Sequence, residues 1–242
     1  MAQSATGGTS LVIHYHGTPI TPMPALYDMS GRNFCVSYAA PANLKRCHEI
    51  GQSVMLDNGA FSFWRKGVPT DDEWWGRYAA WVEPWLDYPT TWCVIPDVID
   101  GSELENDRLI YAWPRHLFKQ SAPVWHMHES LDRLKYLCNA WDRVCIGSSG
   151  VYADPSSNPW KYRMDEAWNA LLPNGGKPPC AVHMLRAMQQ ACEGDWPFAS
   201  ADSTNAAQNH HRHESPVHIA DKWDRMNPPA RWVPREQMEL VA

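Results

Sequence analysis

Eight short apolar runs recur along this chain, and most are separated by stretches of helical periodicity. This alternation restricts the fold more than any other feature, because strands joined by crossover helices form a parallel sheet. Eight units favour a closed (β/α)8 TIM barrel, with an open doubly wound sheet as the alternative. The predicted strands are Leu11–His16, Asn33–Tyr38, Ser53–Asn58, Trp92–Val98, Pro123–His128, Val144–Gly147, Ala181–Leu185 and Phe198–Asp202.

Length and composition agree with one domain of this kind. The chain has 242 residues, close to the roughly 250 of a single α/β barrel. Hydrophobic residues make up 44% and charged residues 20%, which supports a sizeable core. We expect residues 1–10 to be a flexible tail and residues 11–242 to form the single domain.

The charge and cysteine content exclude several classes of protein. A net charge of −6 excludes a surface coated in basic residues but allows a local basic groove. The seven cysteines include no C-x-x-C pair, so neither a disulfide framework nor a cysteine-rich zinc site is expected. Without a signal peptide or a long apolar segment, the expected compartment is the cytoplasm, with no membrane contact.

Helix starts carry recognisable signals. Thr70–Glu73 and Ser102–Glu105 have the pattern of capping boxes, and Ser130 and Asn158 are placed to cap two later helices. An aromatic stripe recurs at helical spacing and is best explained by core packing. It consists of Trp74, Tyr78, Trp81 and Trp85.

Carboxylates stand at the ends of three predicted strands. Asp57, Asp97 and Asp202 would converge on one mouth, since the carboxyl ends of barrel strands build the active site. Three such groups suit three roles: a nucleophile, a general acid/base whose pKa is raised by like charges, and a reader of paired donors. The alternative is that each aspartate only caps the following helix or turn.

The ordered set of strand ends resembles the tRNA-guanine transglycosylases over roughly residues 50–205. Residues 56–61 (LDNGAF) are similar to the D-S-G-G-F/Y segment of that family, and residues 95–97 (IPD) to its guanine-reading aspartate. Residues 146–150 (IGSSG) resemble its glycine-rich turn, and residues 182–185 (VHML) its base-covering strand. Residues 201–202 (AD) occupy the place of the nucleophile.

The resemblance implies a mechanism. Asp202 would attack C1′ of a guanosine residue and expel guanine, and a 7-deazaguanine base would then displace the glycosyl-aspartyl ester. Asp57 would manage the proton on the departing and arriving bases, and the two inversions would give retention.

The resemblance also assigns the base-binding residues. Asp97 would bind N1–H and the 2-amino group. Phe61 would stack on the base, with Met184 or Leu185 on its other face. Ser148 and Ser149 would contact the carbonyl edge, and His128 lies where the family often has glutamine. The full predicted set is Asp97, Asn58, Gly59, Phe61, His128, Gly147, Ser148, Ser149, Met184 and Leu185.

Departures from the family pattern bear on the substrate. Asn58 and Ala60 replace a serine and a glycine, and no cysteine follows Cys192 to form the C-x-C-x2-C…H zinc subdomain. The chain therefore looks more like the short phage and bacterial enzymes that exchange guanine for a 7-deazaguanine in DNA. That resemblance implies DNA rather than tRNA as the partner, and a 7-cyano- or 7-aminomethyl-7-deazaguanine base as the second substrate. It implies neither a metal nor a cofactor. The expected compartment is the host cytoplasm if the protein is phage-encoded. A homodimer is compatible with this expectation.

The segment after Asp202 is rich in histidine and in basic residues. Residues 209–214 (NHHRHE) and His218 would suit a metal site, a phosphate contact or a solvated helical face. We predict nucleic-acid contact by Arg212, Lys222 and Arg225. His14 and His16 are interpreted instead as satisfied core histidines.

Three other functions remain open from the sequence. They are a tRNA-guanine transglycosylase, a hydrolytic N-glycosidase that uses the same aspartates with water, and an inert paralogue that only binds nucleic acid.

Overall fold

A single all-parallel sheet of nine strands organises the computed structural model, which describes residues 12–212 and 214–236. The strand order is β5-β4-β3-β2-β1-β9-β8-β7-β6. The strands are β1 (Ile13–Gly17), β2 (Asn33–Ser37), β3 (Ser53–Asp57), β4 (Thr91–Val94), β5 (Ser121–Ala122), β6 (Val124–His126), β7 (Arg143–Gly147), β8 (Ala181–Met184) and β9 (Ser200–Ser203).

The two outermost strands are neighbours in the chain, because only Pro123 separates β5 from β6. Ala122 O accepts from the Ile95 N–H at 2.9 Å, on the side of β4. Pro123 O accepts from the Cys145 N–H at 2.9 Å, on the side of β7. Since proline has no N–H to donate, the ladder is interrupted there. The sheet is therefore barrel-shaped and nearly closed, compatible with a TIM-like barrel.

Helices cover the outside of the sheet. They are α1 (Met23–Tyr27), α2 (Leu44–Ile50), α3 (Ala60–Arg65), α4 (Asp72–Val82), α5 (Glu103–Ala112), α6 (Leu131–Ala140), α7 (Asn158–Leu171), α8 (Met188–Glu193), α9 (Asn205–Asn209) and α10 (Pro216–Asp224). No described helix combines the length and the apolar composition needed to cross a membrane.

Side chains alternate between two cores, as the period-two geometry of strands requires. Outward residues such as Phe34, Leu56 and Val144 belong to a large cluster that includes helix residues. Inward residues such as Tyr15 and Trp92 form a smaller core inside the sheet, where the Trp92 indole N–H donates to the Tyr15 hydroxyl at 2.8 Å.

All eight predicted strands are present, with ends shifted by a few residues. The predicted fifth strand corresponds to β6, and the short β5 just before Pro123 was not predicted. The capping box at Ser102 and the cap at Ser130 are confirmed. Two predicted caps were wrong by one position. Asp71, not Thr70, accepts from the Trp74 N–H, and Ser157, not Asn158, caps α7.

The aromatic stripe and the β1 histidines pack as expected. Tyr38 lies 5.8 Å from Trp74 and 5.2 Å from Trp81 between ring centroids. His14 and His16 face outward, and their ring nitrogens lie 3.2 and 3.1 Å from Asp224 Oδ1 on α10. The predicted tail 1–10, the predicted strand start at Leu11, and His213 of the histidine-rich segment lie outside the described residues.

Candidate active site

A cavity of about 390 Å³ opens at the carboxyl ends of the strands, and Asp57, Asp97 and Asp202 all line it. Asp57 ends β3 and Asp202 belongs to β9. Asp97 lies three residues beyond β4. The three predicted carboxylates therefore share one mouth.

A larger cavity, of about 1190 Å³, is lined by Tyr15, Trp92 and Arg143 among others. Arg143 begins β7, so this cavity lies at the amino ends of the strands, and none of the three carboxylates lines it. Because barrel chemistry takes place at the carboxyl ends of the strands, the smaller cavity is the candidate site.

The surroundings of Asp57 favour its protonated form. Burial is the main cause that raises the pKa of Asp57 from 3.8 to about 6. The charges of Asp202 and Asp97 also raise it, while hydrogen bonds from Ser37 and Gly59 lower it. The Gly59 N–H donates to Asp57 Oδ2 at 3.2 Å. Gly59 has a φ of +77°, and an added Cβ would lie 2.8 Å from the Phe63 ring. This turn therefore requires glycine.

Asp97 is fixed by two neighbours. Asn58 Nδ2 donates to Asp97 Oδ1 at 2.7 Å and to Ile95 O at 2.8 Å. Asn58 Oδ1 accepts from the Ala60 N–H at 2.8 Å. His126 Nε2 lies 2.9 Å from Asp97 Oδ2, close enough for an ion pair, although it forms no hydrogen bond with a described residue. Asn58 therefore positions Asp97 across the ends of β3 and β4.

His126 also presents an unsatisfied atom. Its side chain is buried and lines the cavity, and its Nδ1 has no hydrogen-bond partner among the described residues. A Cβ at Gly147 would lie 2.9 Å from that nitrogen, so glycine leaves room beside it. A buried ring nitrogen without a partner is costly unless a ligand or water completes it.

Asp202 receives two donors on one oxygen. The Arg186 backbone N–H lies 2.8 Å, and His183 Nε2 3.3 Å, from Oδ1. Burial lowers the pKa of His183, so its imidazole is neutral, and Ser200 Oγ lies 2.8 Å from Nδ1. We assign the proton to Nε2, which donates to Asp202 while Nδ1 accepts from Ser200. This leaves Asp202 Oδ2 unpaired within the described part of the chain.

Arg186 is a site residue that the sequence did not signal. Its φ is +63°, in the left-handed region. Its guanidinium carbon lies 3.5 Å from the centroid of the Phe61 ring, and Nη2 donates to Ser148 O at 2.9 Å. Burial lowers the pKa of Arg186 and the three carboxylates oppose that change, so the side chain remains cationic.

The other predicted base-binding residues divide into two groups. Those that line the cavity are Asn58, Phe61, Gly147, Ser148 and Leu185. Gly59, Ser149, Met184 and His128 do not line it.

Two of the four miss the cavity for different reasons. Met184 faces outward and is fully buried in the outer core, while Leu185 faces inward. His128 is exposed, and its Nε2 lies 2.9 Å from Gly101 O. His126, two residues earlier and inward-facing on β6, takes the cavity position instead. Period-two counting places His126 and His128 on the same face, but β6 ends at His126 and His128 lies in the turn beyond it.

None of the three predicted nucleic-acid residues lines the cavity. Lys222 Nζ lies 5.1 Å from the Trp223 ring, and Arg225 pairs with Asp221 at 3.5 Å. Asp221 also pairs with Arg32, just before β2, so this end of α10 lies away from the mouth. Arg212 is exposed.

Positive charge at the cavity comes from other residues. Arg65 and Lys66, at the end of α3, line it together with Arg186. Among the described residues, no group of three or more histidine, cysteine or acidic side chains is arranged to hold a metal ion.

Comparison with known proteins assigns no family: no family model matches the chain, and no curated protein sequence matches it significantly. The chemistry of the cavity therefore rests on its own groups. These are Asp202, with one oxygen unpaired among the described residues, Asp57, with a pKa raised to about 6, the pair of Asn58 and Asp97, and the cations at the mouth.

Proposed function

We propose that this protein is a base-exchange transglycosylase that replaces guanine in DNA with a 7-deazaguanine derivative of the 7-cyano or 7-aminomethyl type. The fold would be a (β/α)8 barrel without a zinc-binding subdomain, with β5 and β6 counted as two halves of one strand. One observation carries the proposal: Asp57, Asp97 and Asp202 line the same 390 Å³ cavity at the carboxyl ends of the strands.

The first half-reaction uses Asp202 as nucleophile. Its unpaired Oδ2 attacks C1′ of the target nucleotide, the C1′–N9 bond breaks, and its electron pair leaves with guanine. Asp57, whose pKa of about 6 keeps a protonated fraction near neutral pH, gives its proton to the departing base. The products are a glycosyl-aspartyl ester, free guanine and an ionised Asp57.

The second half-reaction reverses these roles. The incoming 7-deazaguanine gives its N9 proton to Asp57, and N9 attacks C1′ as the bond between C1′ and Asp202 Oδ2 breaks. The carboxylate of Asp202 is regenerated. Two inversions at C1′ give net retention.

Base recognition follows from the fixed pair at the end of β4. A carboxylate oxygen accepts more than one hydrogen bond, so Asp97 retains acceptor capacity for N1–H and the 2-amino group. His126 Nδ1, unsatisfied among the described residues, supplies a further polar contact. Phe61 and Leu185 supply the apolar surface for stacking.

The polynucleotide would be held by Arg65, Lys66 and Arg186 at the mouth, since phosphate contacts supply most of the non-specific affinity. DNA is preferred over tRNA through the resemblance to the short 7-deazaguanine DNA transglycosylases. Arg212, Lys222 and Arg225 are less suited to contact the same strand, because none of them lines the cavity.

A base-exchange assay tests the proposal. The protein is incubated with guanine-containing DNA or with tRNA, labelled 7-deazaguanines are added, and the label in the polymer is measured. We expect incorporation into DNA and a trapped covalent protein–DNA adduct. Asp202→Asn should reduce both by about 10⁴-fold, whereas Asp100→Asn, at an exposed aspartate outside the cavity, should leave them unchanged.

Other outcomes identify the rival functions. Label in tRNA alone would favour the tRNA enzyme. Release of guanine without incorporation would favour a hydrolytic N-glycosidase. DNA binding by wild type and Asp202→Ala alike, with neither release nor incorporation, would favour an inert binding protein.

A further inference from the structure

Arg186 covers the surface on which a base would stack. Its guanidinium carbon is 3.5 Å from the Phe61 ring centroid, the separation of two planar groups in face-to-face contact. A purine ring cannot occupy the same face of Phe61 at the same time. With the guanidinium in this position, that face of Phe61 is closed to a base.

The side chain of Arg186 is held by two contacts beyond its backbone. The backbone N–H is fixed by Asp202 Oδ1 at 2.8 Å, but the guanidinium is held by the Phe61 face and one hydrogen bond to Ser148 O. Although three carboxylates line the same cavity, Arg186 forms no salt bridge with any described residue. Part of the residue is also open to solvent at the mouth, although the guanidinium lies in a largely buried environment.

A phosphate is the group that competes best for such a guanidinium. Arginine binds phosphate through two parallel, charge-assisted hydrogen bonds, whereas Ser148 O accepts one. Arg65 and Lys66 line the same cavity and are exposed, so a polynucleotide strand at the mouth would place its phosphates among three cations.

We propose that Arg186 is a gating and specificity residue that covers Phe61 in the free protein and uncovers it when a polynucleotide phosphate draws the guanidinium outward. This inference rests on the proposed function for the identity of the base. It makes base binding depend on prior binding of the polymer, so that free bases and mononucleosides are poor ligands of the unoccupied protein.

Calorimetric binding of 7-cyano-7-deazaguanine tests the gate. The full chain is titrated with this base, alone and in the presence of a guanine-free thymidine oligonucleotide, for the wild type, Arg186→Ala and Arg65→Ala. Wild type should bind the base weakly alone and about tenfold more tightly with the oligonucleotide. Arg186→Ala should bind it tightly in both conditions, with a gain of about tenfold over wild type when no oligonucleotide is present.

Oligonucleotide affinity supplies the second measurement. Both variants should bind the oligonucleotide more weakly, with the slope of log K against log salt reduced by about one. Only Arg186→Ala should gain affinity for the base, because the Arg65 guanidinium lies over the Phe61 ring at 5.8 Å from its centroid, too far for the face-to-face contact that Arg186 makes at 3.5 Å. Arg65→Ala is thus the matched control for loss of charge.

The gate is overturned if Arg186→Ala binds the free base no better than wild type while its denaturant midpoint shows that it is folded. A misfolded Arg186→Ala would be replaced by Arg186→Lys, which keeps the charge without a planar group and should show the same gain. If labelled base enters DNA but neither variant gains affinity, the gate fails and the transglycosylase stands. If no base enters DNA but Arg186→Ala gains affinity and Arg65→Ala does not, the gate stands and the transglycosylase fails.

Discussion

Asp57→Asn should make the protein more stable at neutral pH while it removes activity. Burial raises the pKa of Asp57 from 3.8 to about 6, so the folded protein holds this proton more tightly than the unfolded chain does. The ionised form is therefore unfavourable in the folded state. Stability is lost as pH rises from about 4 to about 6, and asparagine, which does not ionise, avoids that loss.

The size of the effect follows from linkage. A rise from 3.8 to about 6 corresponds to about 3 kcal/mol at full ionisation, at about 1.4 kcal/mol per pH unit. Between pH 4.5 and pH 7.5 the stability contributed by this group should fall by about 2 kcal/mol. For a chain of this length, that difference corresponds to a change of about 4–8 °C in Tm.

Urea unfolding of wild type and Asp57→Asn at the two pH values measures the difference. The stability of the variant relative to wild type should increase by about 2 kcal/mol from the lower to the higher pH. Asp154→Asn is the control, because hydrogen bonds from Ser156 lower the pKa of the exposed Asp154 from its ordinary value. Its ionisation therefore changes stability only at lower pH, and the relative stability of this variant should stay level between the two pH values. The raised pKa of Asp57 would be refuted if the stability of Asp57→Asn relative to wild type did not change with pH.

Three further results are expected. The rate of covalent adduct formation should fall about tenfold per pH unit above about pH 6, because the protonated fraction of Asp57 falls. Rapid quench-flow at a series of pH values measures this rate. A rate that stayed level would exclude Asp57 as the acid. Asn58→Ala should cost about 2 kcal/mol in urea unfolding and weaken base binding, whereas Asn139→Ala, on the exposed face of α6, should do neither. Burial disfavours ionisation of Asp224, yet hydrogen bonds from His14, His16 and Arg32 hold its pKa well below the ordinary value. Asp224→Asn should therefore lower the free energy of unfolding by about 3 kcal/mol at pH 7, and this loss should shrink as pH falls below about 4. Adduct formation by the folded variant should not change.

Much of the fold could be predicted because its strands are short, apolar and regularly spaced. Each predicted strand corresponds to one strand of the sheet. All three predicted carboxylates line the cavity at the carboxyl ends of the strands, since a position at a strand end depends only on local sequence and parallel topology. The helix caps were predictable to within one residue. Thr70 and Asn158 failed because the adjacent Asp71 and Ser157 could cap equally well, and local sequence does not choose between them.

The direction of side chains was harder to predict. The sequence placed Met184 and His128 in the site, but the pleat directs Leu185 inward instead of Met184. Strand β6 ends at His126, so His128 lies in the turn beyond it. The charged residues after α9 suggested nucleic-acid contact. Their place depends on how α10 packs, and Arg32, distant in sequence, draws Asp221 and Asp224 toward the start of β2.

By itself, the sequence determined the strand-and-helix alternation, the parallel sheet and the three carboxylates at strand ends, because these follow from periodicity and from residue type. Only the tertiary structure decided the raised pKa of Asp57, the fixation of Asp97 by Asn58 and His126, and the cover of Phe61 by Arg186. Each of these depends on groups that are distant along the chain and meet only when the sheet curves toward closure. Burial and neighbouring charge act through space, so no local pattern of residues encodes them.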